Sequence, residues 1–347
     1  MAPLRLAVIG AGVIGARHVE LALAEASCRL VALADPAPAS VELAREAGIP
    51  HYADYEDMLD RERPEAAIVA VPTALHTPVG VACAQRGVHM LMEKPIAETV
   101  VAGRELLAAV EGAGVRLAVG HLRRFDPAVE AAREILDSGE IGRLVAVAVT
   151  WCLRKPEAYY GPAWRREPGG GPVMINLIHD IDSLRAICGE IERVYAETSS
   201  AVRGFAVEDS AAIVLRFRNG ALGTITVSDS APSPWGWEQA TGENPIIPAS
   251  KENCYRFMGT AGALDFPSLT LWRHEGSGPG DWSRPIVSEP RSLGERASLV
   301  KQLRHFCRVA RGEEVPRVGG ADGLATLAAT LAVLESARLG TPVVPES

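Results

Sequence analysis

The chain has 347 residues, 48% of them apolar and 22% charged, with 35 basic and 43 acidic residues for a net charge of −8. That is enough chain for two ordinary domains, with the composition of a soluble globular protein. The charges are spread without a basic block, which argues against nucleic acid as a partner, and no apolar run is long enough to span a bilayer.

The first apolar run, Leu4–Ile9, passes straight into glycines. It lacks the charged start and small-residue cleavage site of a secretory signal, and it reads as a buried strand. Short apolar runs recur at Arg29–Ala34, Ala66–Val71, Val88–Met92 and Val115–Val119. Helical patterns lie between them at Ile14–Ala26, Ser40–Ala47, Tyr55–Asp60 and His76–Arg86. This alternation predicts an α/β domain over residues 1–120, a doubly wound parallel (Rossmann) sheet covered on both faces.

The pattern changes near Gly120. Asp126–Pro127 is an N-cap followed by proline at the first helical position. Phe125, Val129, Ala132, Ile135 and Leu136 then repeat at helical spacing. Longer β-type runs follow at Leu144–Trp151, Ile191–Ser199, Ala211–Arg218, Leu222–Val227 and Tyr255–Met258, with a type I′ hairpin signal at Asn219–Gly220. Residues 121–347 therefore form an α+β domain with an open, mainly antiparallel sheet. Pro156–Pro172, Ala231–Ala249 and Gly276–Pro290 read as long loops. The second of these holds Trp235 and Trp237, and it fits a lid over a sugar, a subunit contact or a packed loop equally well. At the C-terminal end, Leu299, Leu303, Phe306 and Ala310 make one helical face. Leu324, Leu327, Leu331 and Leu334 make another after Asp322, read as an N-cap. Helices over 298–339 are candidates for packing back toward the first domain.

The six cysteines show no CxxC pair and no metal-ligand spacing, so no metal site is indicated. They read as reduced, mainly buried thiols of a cytoplasmic protein. The basic residues are nearly all arginine. Of the lysines, Lys94, Lys155, Lys251 and Lys301, only Lys94 has a motif around it.

Gly10-Ala11-Gly12-Val13-Ile14-Gly15 follows a strand and opens a helix, the context a dinucleotide-binding GxGxxG requires. Gly10 permits the tight turn, Gly12 lets the backbone approach a pyrophosphate, and Gly15 lets helix and strand pack closely. Asp35 ends the second strand, in register to accept the adenosine ribose hydroxyls, and its charge opposes a 2′-phosphate. The cofactor expected is NAD, with NADP less favoured. Glu93-Lys94-Pro95 follows the run Val88–Met92, at the strand ends where ligands of such sheets bind. An ammonium there can stabilise charge on a reacting oxygen.

These motifs, taken with Pro72-Thr73-Ala74-Leu75-His76, Gly120-His121-Leu122-Arg123-Arg124-Phe125, Trp164-Arg165 and Gly169-Gly170-Gly171 leading to His179-Asp180-Ile181-Asp182, resemble the Gfo/Idh/MocA family over nearly the whole chain. The resemblance implies that Lys94 is catalytic or orients substrate. It places Pro72, Thr73, His76 and Glu93 beside the cofactor. It implies that the second domain's sheet makes a homodimer or homotetramer interface, and that His179 takes the proton of a substrate hydroxyl. An imidazole suits that task. Relatives of the inositol dehydrogenase type carry an aspartate four residues before this histidine. Here that position is Ile175, with Asn176 beside it as a neutral stand-in. Arg123, Tyr159, Trp164, Arg165, Asn176 and His179 are the expected substrate-lining residues.

The function expected is hydride transfer between NAD and a cyclic polyol, sugar or related hydroxy or carbonyl compound. The alternatives are a non-sugar substrate (an imine, an aromatic dihydrodiol or a keto acid) and a non-catalytic dinucleotide sensor. Retention of both Lys94 and His179 argues against the sensor.

Overall fold

The computed structural model describes residues 2–276 and 280–347. It forms two compact units: residues up to 125 with 297–327, and residues 126–296 with 328–346.

The first unit is built on six parallel strands: β1 (Leu4–Ile9), β2 (Cys28–Ala34), β3 (His51–Tyr52), β4 (Ala66–Val69), β5 (His89–Met92) and β6 (Leu117–Val119). Their order is β3-β2-β1-β4-β5-β6. The order reverses between β1 and β4, and the crevice at the carboxyl ends there is where such sheets bind ligands. Helices α1 (Val13–Ala24), α2 (Pro38–Ala47), α3 (Tyr55–Glu62), α4 (His76–Gln85) and α5 (Val100–Ala113) connect the strands. β4 is buried at every position, as a strand covered on both faces must be. The two-residue β3 and the helix α5 were not foreseen. α5 carries a Thr99 cap that accepts from the Ala102 amide, and it ends on the left-handed Gly114.

In the second unit, α6 (Pro127–Asp137) starts as expected: Asp126 Oδ1 accepts from the Ala128 amide at 2.9 Å. Eight strands follow: β7 (Leu144–Cys152), β8 (Ile191–Ser199), β9 (Ser210–Phe217), β10 (Leu222–Ser228), β11 (Tyr255–Gly259), β12 (Ala263–Phe266), β13 (Thr270–His274) and β14 (Ile286–Pro290). They are ordered β14-β13-β12-β11-β7-β10-β9-β8. Only the β7–β10 pair is parallel. Burial alternates along β9 and β10. The inward face packs on α7 (Ile178–Cys188), while Val214, Leu222, Met258 and Trp272 stand exposed on the other.

Four local expectations change. Only Gly220 of the β9–β10 turn has positive φ. Its amide bonds to the Phe217 carbonyl at 2.9 Å, and the Phe217 amide bonds to the Ala221 carbonyl at 2.9 Å. That is a three-residue turn ending in a bulge glycine, not a two-residue type I′ turn. Trp237 is fully buried on the short helix α8 (Trp237–Thr241) and stacks on Phe266 at 5.6 Å, so it is a core residue, not a lid aromatic. The third expected loop contains β14, and its residues 277–279 lie outside the described residues. Asp322 sits inside α10 (Gly320–Leu339), where it bonds Arg124 Nη1 at 2.8 Å instead of capping the helix.

The core of the first unit includes Leu303, Phe306, Cys307 and Ala310 of α9 (Ser298–Arg311). All six cysteines are buried thiols. Among the described residues no helix is long and apolar enough to cross a membrane. The start of α6 gives a direct test: Asp126→Ala should lower stability by about 1 kcal/mol, the usual cost of losing such a cap. Denaturant titration reads the change, and an unchanged midpoint would remove the capping assignment.

Candidate active site

At the end of β1 the chain turns at Gly10. Its φ is +98°, and a Cβ there would lie 2.4 Å from the Ala70 carbonyl oxygen. A Cβ on Gly15 would lie 2.0 Å from the Gly10 carbonyl oxygen, so the third glycine closes the turn on itself more than it seats helix on strand. Gly12 caps α1 without any side-chain bond, and a Cβ there would meet nothing within 4 Å. The first-turn amides of α1, at exposed Val13 and half-buried Ile14, face a cradle suited to phosphate. Asp35 follows β2 directly. Its Oδ2 accepts from the Ala11 amide at 2.6 Å and its Oδ1 from the Ala37 amide at 2.7 Å, which pins the carboxylate against the glycine turn. The donors, the cradle and the acid all fit a dinucleotide.

The Lys94 turn is fixed from below. Glu93 is buried, and its Oε1 accepts from Nε2 of His18, itself buried on α1, at 2.8 Å. Glu93 Oε2 accepts from the Lys94 amide at 3.2 Å. Burial works to raise the Glu93 carboxyl, but the His18 hydrogen bond and charge, with the Lys94 charge and amide, outweigh it and hold it below the ordinary value. Expected beside the cofactor, Glu93 instead spends its carboxylate inside the protein. His76 is likewise buried: its Nδ1 lies 2.7 Å from the Pro95 carbonyl oxygen and its Nε2 lies 3.0 Å from that of Val71. Burial lowers its pKa against these carbonyls, and the ring, set between them, links the turn after β4 to the Lys94–Pro95 turn. Pro72 is exposed, and half-buried Thr73 opens a single 3₁₀ turn beside them.

In the second unit the segment before α7 is a π-turn, Val173–Leu177, not regular helix. Spacing by three or four residues therefore does not transfer from His179 back to Asn176. A Cβ on Gly171 would lie 2.2 Å from Glu208 Oε1, and this carboxylate accepts from the Val173 amide at 3.0 Å. The glycine run thus admits an acid to the start of the turn. His179 is half-buried on α7. The Asn176 Oδ1 accepts from Lys155 Nζ at 2.8 Å.

Lys155 is the residue sequence reasoning missed. It is 6% exposed, and its Nζ lies 3.5 Å from Asp229 Oδ2 and 4.6 Å from the Tyr159 ring centroid. Burial pulls its pKa down to about 8, opposed by Asp229 and Glu238 and aided by the Arg165 charge. A signal was present: like Lys94, it stands a few residues beyond a strand end and precedes a proline, in a chain whose basic residues are nearly all arginine. Tyr159 and Arg165 join it, with Arg165 Cζ 3.9 Å from the Tyr159 ring centroid. Trp164 is exposed beside them. Arg123, expected to line the substrate, lies in the first unit and is 2% exposed. Its neighbours in sequence gave no sign of that burial.

Fold and glycine cradle together define a dinucleotide-binding oxidoreductase. Residues 4–121 match the oxidoreductase family model with an NAD-binding Rossmann fold, and residues 129–265 match the GFO/IDH/MocA C-terminal domain. The chain belongs to the Gfo/Idh/MocA family of oxidoreductases. It is 28% identical to scyllo-inositol 2-dehydrogenase (NAD(+)) of Bacillus subtilis, over 98% of this chain and 95% of that one. It is 27% identical to D-xylose 1-dehydrogenase (NADP(+)) 2 of Haloferax volcanii, over 97% and 98%. Among solved structures, the WlbA dehydrogenase from Bordetella pertussis, in complex with NADH and UDP-GlcNAcA, superposes with a TM-score of 0.78 at 24% identity, covering 99% of each chain.

The depressed lysine has a thermodynamic signature. Its folded-state pKa of about 8 lies below the ordinary 10.5. The unfolded chain therefore binds more protons between those values, and this residue's contribution to stability rises with pH across that window. Melting wild type and Lys155→Met side by side should show the difference in apparent Tm moving toward wild type from pH 8 to 10.5. A constant difference would mean that the ammonium is not buried.

Proposed function

We propose that the protein is an NAD-dependent dehydrogenase acting on a CH–OH group of a cyclic polyol, sugar or related hydroxy compound, or the reductase of the matching carbonyl. The observation that carries this reading is the chain of contacts from α1 through His18 and Glu93 to the Lys94 amide, because it ties the phosphate-binding helix rigidly to the lysine at the end of β5. Nicotinamide, when bound, supplies the hydride acceptor or donor. The amides of α1 hold the pyrophosphate and Asp35 holds the adenosine ribose hydroxyls. Lys94 donates a hydrogen bond to the reacting oxygen and stabilises charge developing on it. His179 holds the proton that leaves the hydroxyl. Inositol and sugar dehydrogenases among the relatives support the substrate class. The same reading takes the protein as cytoplasmic, and as a homodimer or homotetramer paired through the exposed apolar positions Val214, Leu222, Met258 and Trp272 of the second sheet.

The cofactor assignment rests on Asp35, whose fixed charge opposes a 2′-phosphate. Fluorescence titration should give NADH at least a tenfold lower Kd than NADPH, a difference of about 1.4 kcal/mol. Equal or reversed affinities would overturn the NAD assignment, and a relative that uses NADP makes that outcome a real alternative.

Lys94→Ala should lower turnover on the order of a hundredfold while leaving the Kd for NADH nearly unchanged, because the ammonium acts on the reacting oxygen and not on the phosphates. Steady-state assays over a panel of polyols and sugars, paired with cofactor titration, measure both. Normal turnover in the variant, or loss of the cofactor instead of the rate, would sink the role given to Lys94.

A further inference from the structure

The second unit gathers three cations, Lys155, Arg165 and Arg203, around Tyr159 and Tyr160. The acids nearby are themselves committed to other donors. Arg203 is fully engaged: Nε on Asp229 Oδ1, Nη1 on Glu157, and Nη2 on the Lys155 and Asp229 carbonyl oxygens. Asp229 also accepts from the Tyr160 hydroxyl at 2.6 Å, so its 3.5 Å contact with Lys155 is the weakest of its three partners. Glu238 is taken by the Trp151 indole at 2.8 Å. Glu208, whose pKa burial raises, accepts from the Val173 amide at 3.0 Å.

Arg165 and Lys155 keep donors that these acids do not take up. Arg165 Nη1 donates to the Tyr159 carbonyl at 2.6 Å, and its buried Nε has no hydrogen-bond partner among the described residues. The Lys155 ammonium has three N–H bonds. One goes to Asn176 Oδ1 at 2.8 Å and one reaches weakly toward Asp229, which leaves donor capacity. Both cations lie against one ring and repel each other.

We propose that Lys155 and Arg165 form a subsite for a carboxylate, so that the substrate is a sugar acid or related hydroxy acid and not a neutral polyol. The inference rests on the reading that this unit binds a hydroxylated substrate, and it narrows that class. A carboxylate has two oxygens, enough to take the spare ammonium donor and the unpartnered Nε–H of the guanidinium. It would also relieve the repulsion between them. Asn176 is a positioning residue. Its neutral carbonyl aims the ammonium, whereas an aspartate there would neutralise it and remove the attraction for an anion.

The test is calorimetric titration of the NADH-loaded protein at pH 7 with matched pairs, D-glucuronate against D-glucose and D-gluconate against D-glucitol. At least one acid should bind tenfold or more tightly than its neutral partner. Lys155→Met and the isosteric Asn176→Asp should each bring that ratio close to one. The second variant keeps the test decisive if the first fails to fold. Neutral partners binding as well as the acids, no acid binding at all, or a preference that survives in Asn176→Asp would overturn the subsite. Turnover is read separately. Acids that bind with the preference but never reduce NAD would remove the dehydrogenase reading and leave the subsite standing. Oxidation of neutral polyols without an acid preference would do the reverse.

Discussion

The buried bond between His18 and Glu93 is the constraint on which the first unit's chemistry depends. Neither side chain has meaningful access to water, and a carboxylate so placed is tolerable only while its donors stay in position. Removing one partner of such a pair costs about 3–5 kcal/mol, because the other is left charged or polar in the interior. That penalty locks α1 to the end of β5. The helix that offers amides to phosphate and the turn that offers Lys94 therefore share one reference frame. His76 holds the turn from the other side through Pro95 and Val71. Gly120 leaves the room this needs, since a Cβ there would lie 3.0 Å from Glu93 Oε2.

The second unit reverses that logic. Where Glu93 takes a donor on each oxygen, Lys155 is met less evenly: it is buried, it shares one carboxylate with Arg203 and Tyr160, and its firm bond is to a neutral amide. Burial there disfavours the charged form, and the lowered pKa is the measure of that tension. Strain of this kind persists at positions where surrounding structure fixes the group and function uses it. One unit thus holds its polar groups still, and the other keeps a polar group wanting a partner.

What was legible in the sequence was local. The glycine turn, Asp35 at its strand end, the Asp126–Pro127 cap and the alternation of β9 and β10 are each set by residues within about one element of each other, and spacing alone carries them. What was hidden was set across the fold. His18 meets Glu93 from 75 residues away, and Lys155 meets Asn176 from 21 residues away on a different element. Burial of Arg123 and Trp237 depends on packing that no periodicity in their short segments encodes. The π-turn at Val173–Leu177 defeated helix-face arithmetic in a subtler way, because the composition before α7 reads as ordinary helix and only the turn's extra width separates the two.

Asn176 shows how the two kinds of information combine. The family resemblance, joined to helical spacing, cast it as a neutral replacement for an aspartate that would steady His179. The structure gives its carbonyl oxygen to Lys155. A carboxamide has distinct ends, an oxygen that accepts and a nitrogen that donates, whereas a carboxylate only accepts. With the oxygen committed to the ammonium, and the π-turn taking residue 176 out of helical register with His179, the amide answers to the lysine and not to the histidine. The exchange of acid for amide at this position therefore leaves Asp229 as the carboxylate in contact with the ammonium, where an aspartate at 176 would have been a second.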